Sequence, residues 1–217
     1  MRPLAPTRLR NGFTVTELLV VIICVVVLAA VLLPAFKRAR SGSRINCASN
    51  LKQVSLAFMT WAIDHHDRFP MEESITNGGT MELTGAGATA PHFQVMSNEL
   101  STPKILICPE DRRRQAATNF TALTDASLSY FLNLDSSETN QTFLLSGDRN
   151  LTNKSVPGVR FVQVTAETSI GWTKEIHSEK GHISLRDGSV AAYTNGSPVL
   201  ASSIKTIETA TNRLAVP

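Results

Sequence analysis

The sequence predicts an α+β protein: a long N-terminal helix, apolar at first and amphipathic after, packs on a mainly antiparallel β-sheet, and a C-terminal helix follows the strands. Three observations predict it. Leu18 to Leu33 contains no charged or strongly polar side chain. Ile45, Ala48, Leu51, Val54, Phe58 and Trp61 recur at spacings of three and four, the stripe of one helix face. Beyond residue 100, short apolar or β-branched runs alternate with turn residues, which is the pattern of strands.

A chain of 217 residues accommodates one domain with a core plus one membrane or assembly helix. Its formal charge is +3, but Arg2, Arg8 and Arg10 all precede the apolar run. The 21 basic side chains less those three leave 18, against 18 acidic ones. A near-neutral chain argues against a nucleic-acid partner. The later basic cluster, Arg112, Arg113 and Arg114, adjoins Glu110 and Asp111 and reads as a solvated loop.

From Phe13 to Phe36 the only charge is Glu17. At about 1.5 Å per residue this stretch covers roughly 36 Å, enough for a bilayer core of about 30 Å. Arg2, Arg8 and Arg10 flank it on one side and Lys37, Arg38 and Arg40 on the other, so charge alone does not orient it. A cleaved secretory signal, a plain anchor and a processed leader with a retained helix are the competing readings. A secretory signal places small residues after its apolar stretch. Here Ala29 and Ala30 precede Val31, Leu32 and Leu33. Glu17 is the costly residue, because a carboxylate inside a membrane segment costs several kcal/mol and marks function. Pro34 removes a helical hydrogen bond and is expected to kink or break the helix.

The string Gly12-Phe13-Thr14-Val15-Thr16-Glu17, followed by Leu18-Leu19-Val20-Val21-Ile22 and later by Pro34, resembles the prepilin signature of type IV pilins and type II secretion pseudopilins. The resemblance implies a pilin-like fold and cleavage after Gly12 by a prepilin peptidase that methylates Phe13. It also implies that Glu17 meets the amino terminus of a neighbouring subunit, so that Phe13, Glu17 and Pro34 serve assembly. The partners it implies are the peptidase, other pilin or pseudopilin subunits and the inner membrane, with the C-terminal domain periplasmic. The expected division is a leader at 1–12, a transmembrane and assembly helix at 13–36, its amphipathic continuation at 37–68, and a globular domain at 69–217. A membrane-tethered binding module that keeps the same signal is the alternative.

Arg44, Lys52 and Gln53 are expected to face away from the stripe, and Asp64-His65-His66-Asp67-Arg68-Phe69-Pro70 to end the helix. Residues 72–91 read as loop. Strands are expected at Ile105–Cys108, Leu128–Leu132, Thr142–Leu145, Val159–Val164 and Ile170–Trp172. Asp187-Gly188 between alternating runs predicts a hairpin with a type I′ turn. Leu200, Ile204, Ile207 and Leu214, after Ser197-Pro198, predict the C-terminal helix. Cys47 to Gln53, Cys108-Pro109-Glu110-Asp111, Ser129-Tyr130, Gly147-Asp148-Arg149-Asn150 and Asp187-Gly188-Ser189-Val190 are similar to strings in prepilin-type proteins of Verrucomicrobia and Planctomycetes.

Chemistry is sparse. Cys24 lies in the apolar run, whereas Cys47 and Cys108 are a candidate disulfide pair in an oxidising compartment, or two free thiols. Adjacent His65 and His66 point about 100° apart on a helix and do not readily share a metal ion. Asp148 and Asp187, with His177 and His182 nearby, are candidate calcium ligands; the competing reading gives Asp187 to the turn and pairs Asp148 with Arg149. No Gly-x-Ser-x-Gly elbow, Cys-x-x-Cys, His-Glu-x-x-His or phosphate loop occurs, so the expectation is a non-enzymatic protein without a cofactor.

Overall fold

The computed structural model describes residues 14–136, 144–152, 161–164, 171–195 and 212–217, and within the first helix it leaves the side chains at 32–41 undescribed. The leader at 1–12, with Gly12, and Phe13 lie outside the described residues, as do Leu200, Ile204 and Ile207. The chain divides into two compact units, residues 1–42 and 43–217.

In the first unit, helix α1 (Val15–Asp64) begins with a capping box. The Thr14 N–H and hydroxyl both donate to Glu17 Oε2 at 2.8 Å, and the Glu17 N–H returns to Thr14 Oγ1 at 3.3 Å. Leu18 to Val31 then present apolar side chains on every side of the helix, and the large ones are about half exposed or more. Among the described residues no helix is long and apolar enough to cross a membrane. The stretch expected to span includes Phe13 and side chains 32–36, which are not described. Pro34 does not end α1, which is helical throughout its length. A proline removes one ladder bond while its fixed φ stays helical, and here the helix continues past that loss.

In the second unit α1 is amphipathic. Cys47, Leu51, Val54, Phe58, Trp61 and Ala62 are buried, while Lys52 and Gln53 are exposed. The stripe therefore starts at Cys47; Ile45, expected to belong to it, is 67 % exposed. The helix ends where His66 and Asp67 turn left-handed, with the Asp67 N–H on the Ala62 carbonyl. His65 Nδ1 bonds to the Trp61 carbonyl at 2.8 Å and its ring stacks on that indole. The stretch 72–91, expected as loop, carries short helical turns at Ile75–Asn77 and Met81–Ala86 and the start of α2 (Ala90–Gln94), after which α3 (Ser97–Leu100) follows.

Among the described residues six strands follow: β1 (Tyr130–Asn133), β2 (Leu144–Asp148), β3 (Val162–Val164), β4 (Lys180–Leu185), β5 (Val190–Thr194) and β6 (Asn212–Ala215). They form one antiparallel sheet in the order β3-β6-β1-β2-β4-β5. Strand alternation divides the core in two. Tyr130, Leu132, Leu145 and Ala215 join the α1 stripe, while Phe131, Leu144, Leu214, Val164 and Ile183 pack with Trp172 and Tyr193. Both faces of β1 and β2 are consequently buried.

Three local expectations are corrected. Ile105–Cys108 is not a strand: Pro103 at the first helical position and Thr102 as cap open a 3-10 turn at Pro103–Leu106. Leu214 lies in β6, because a single alternating pair with Ala215 serves both core halves, so the predicted C-terminal helix does not reach it. The hairpin at β4 and β5 is present, but Gly188 alone of the Asp-Gly pair has positive φ (78°) and its N–H bonds to the Leu185 carbonyl. That is a type I turn closed by a left-handed glycine, not a type I′ turn.

Candidate functional site

Four elements of the second unit bring ligand-type side chains together. Cys47 opens the buried stripe of α1, and Cys108 follows the Pro103–Leu106 turn. Asp148 ends β2, and His177 lies in the turn before β4. Cys47, Cys108 and Asp148 have no exposure and His177 has 2 %. One ligand atom from each lies within 4.8 Å of all the others. His177, Ser178 and Glu179 are all left-handed, with φ of 57°, 53° and 65°. Such backbone is strained for non-glycine residues and persists where surrounding structure holds it.

The hydrogen bonds fix every group. Cys47 Sγ donates to Asp148 Oδ1 at 3.3 Å, and Cys108 Sγ lies 3.2 Å from His177 Nε2. His177 Nε2 is 3.6 Å from Asp148 Oδ2, and its Nδ1 is 2.9 Å from Glu110 Oε2. Asp148 Oδ2 also accepts from the His182 N–H at 2.7 Å and meets His182 Nδ1 at 3.0 Å. The Tyr130 hydroxyl contacts the Cys47 sulphur at 3.5 Å and its carbonyl at 3.4 Å.

Electrostatics separate the two thiols. Burial pushes the Cys47 thiol up, helped by the adjacent Cys108 sulphur and by the Asp148 charge. At Cys108 the adjacent Cys47 sulphur outweighs burial and, with the His177 bond, lowers the thiol to about 6. Burial opposes charge on His177, yet the bond to Cys108 and the charge of Asp148 raise it to about 8. Burial first, then the surrounding negative charge, lifts the Tyr130 phenol well above its usual value.

The sequence-level candidates are redistributed. Cys47 and Cys108 are neighbours, as free thiols. Asp187 does not join Asp148: it accepts from the Ser189 N–H at 2.9 Å and serves the exposed turn. A calcium pair of Asp148 and Asp187 therefore has no geometric basis, because Asp148 is surrounded by sulphur and nitrogen donors. Nor does Asp148 pair with Arg149, which lies one residue past β2, because its carboxylate is taken by Cys47 and His182. Arg149 instead binds Asp111 at 2.7 and 2.9 Å and also Glu175. Asp111 is thereby buried, whereas Arg112 and Arg113 are exposed as expected. The Cys47–Cys108–Asp148–His177 set is not legible in the sequence because even its successive members are 29 to 61 positions apart. The available signal was Cys47 at the correct period for the helix stripe.

Cys108, His177 and Glu110 also stand as nucleophile, base and orienting carboxylate. The sulphur is fully buried, so among the described residues a substrate has no approach to it. Comparison with family models, curated proteins and solved structures finds no match to this chain.

Proposed function

We propose that the chain is a structural subunit, a pilin or pseudopilin, of a type IV pilus-like or type II secretion filament. In this reading prepilin peptidase cuts it after Gly12, and α1 holds it in the inner membrane until assembly. One observation carries the reading. The helix that follows the Gly12-Phe13 junction is apolar and exposed on every side from Leu18 to Val31, with one acid, Glu17, in its first turn. A helix apolar all round needs a lipid or protein environment. A lone carboxylate there needs a cationic partner. The amino terminus of a processed neighbour is such a partner.

Glu17 also completes the capping box with Thr14, so its two roles must be separated experimentally. Glu17→Gln retains a capping-box residue and removes the charge. In cells, the Glu17→Gln protein is expected to remain in the membrane fraction and to lose at least tenfold from sheared or pelleted filaments. Equal incorporation of Glu17→Gln and wild type overturns the charge-pairing role. A wild type found only as a membrane-bound monomer overturns the filament reading and favours a tethered module.

A further inference from the structure

We propose that Cys47, Cys108, Asp148 and His177 form a structural zinc site that fastens the amphipathic half of α1 to the end of β2 and to the two turns bearing Cys108 and His177. The inference is independent of filament assembly, because it concerns the folding of the second unit. Zinc takes four ligands from cysteine, histidine and carboxylate, and a site with four protein ligands is structural, with no open position for chemistry.

The donor separations fit. Bonds of about 2.3 Å to sulphur and about 2.0 Å to nitrogen or oxygen place tetrahedral neighbours roughly 3.3–3.8 Å apart. The edges are 3.3 Å from Cys47 Sγ to Asp148 Oδ1 and 3.2 Å from Cys108 Sγ to His177 Nε2, while the 3.6 Å from His177 Nε2 reaches the second carboxylate oxygen, Asp148 Oδ2. The whole set closes within 4.8 Å, so binding requires only a small contraction.

The surrounding bonds aim the donors inward. Glu110 holds His177 Nδ1, which leaves Nε2 directed at Cys108 and Asp148. A carboxylate behind a ligating imidazole fixes its tautomer and raises its basicity. The two His182 contacts occupy Asp148 Oδ2, leaving Oδ1 on the Cys47 side. Two sulphurs and one imidazole favour zinc over calcium or magnesium, which require oxygen ligands. Binding expels the thiol protons of Cys47 and Cys108 and any proton on His177 Nε2, so three anionic ligands and a neutral imidazole surround the dication.

The test uses the full chain, purified in detergent, reduced and stripped of metal. Titration with zinc is expected to load one equivalent per chain. Cobalt(II) in its place is expected to give the strong visible bands of a tetrahedral site and a thiolate-to-cobalt charge-transfer band. Cys47→Ser and Cys108→Ser should each weaken that band, His177→Gln should alter the visible bands, and Cys24→Ser should change nothing. The wild-type spectrum decides the matter even where a variant fails to fold. Absence of the charge-transfer band in the reduced wild type overturns the site. So does a band retained in both serine variants, or closure of Cys47 and Cys108 to a disulfide when zinc is present.

Discussion

Acidification through the histidine range should weaken the second unit at His92. The Thr80 hydroxyl donates to the Pro70 carbonyl at 2.9 Å, so its oxygen accepts from His92 Nδ1–H at 2.7 Å. His92 is fully buried, and its Nε2 has no hydrogen-bond partner among the described residues. Protonation would place a charge and an unsatisfied N–H in a buried site, and burial accordingly lowers the imidazole from 6.5 to about 4. At 1.36 kcal/mol per pH unit, the interval from 6.5 to about 4 corresponds to about 3 kcal/mol. The unfolded chain binds the proton first, so this stability is complete above pH 6.5 and is lost as pH falls toward 4. For a chain of this length, roughly 2–4 °C of Tm accompanies each kcal/mol. The assay is urea unfolding of the full chain in detergent at closely spaced pH values, beside His92→Phe. The variant should begin less stable, having lost the Thr80 bond, and should show a flatter profile between pH 6.5 and 4. Identical slopes in the two proteins would refute the assignment.

Further perturbations address other parts of the second unit. Arg149→Met leaves Asp111, 4 % exposed, without its guanidinium and should cost about 3–5 kcal/mol in urea unfolding. Adding Asp111→Asn should recover part of that loss, and no recovery would contradict the pairing. Burial opposes ionisation of Asp111, but bonds from Arg149 and Ser129 prevail and hold its carboxyl below the usual range. Its contribution is therefore present above about pH 3.8 and lost below, apart from the His92 window. Gly181→Ala would place a methyl carbon 1.9 Å from Trp172 Nε1 and should destabilise by about 1–3 kcal/mol with a changed Trp172 emission. An unchanged midpoint would mean that the indole is not seated over Gly181.

Periodicity made much of this fold readable. Leu51, Val54, Phe58 and Trp61 are all buried as their spacing requires, and the Asp187-Gly188 hairpin lies where alternation places it. The failures have local causes. Ile45 is apolar but exposed, and Cys47 takes the buried position because the helix phase, not hydrophobicity, decides which side chain faces the sheet. At Ile105–Leu106, Thr102 and Pro103 override the β propensity of the run that follows. The Arg149 ion pairs were hidden because Asp111, Arg149 and Glu175 meet only after the strands are in register. The cysteine, aspartate and histidine cluster was illegible for the same reason. Its members come from a helix, a strand end and two turns, and no short motif connects them. The Thr14-Val15-Thr16-Glu17 capping box, by contrast, is legible in the sequence, because a threonine three residues before a glutamate at a helix start is its pattern.

Processing after Gly12 is read out by intact-mass and N-terminal sequencing of the protein from native membranes, beside a Gly12→Ala variant. A wild type that begins at a methylated Phe13, with a variant that keeps its leader, is the predicted result. Both proteins beginning at Met1 in cells with an active prepilin peptidase would rule out a prepilin.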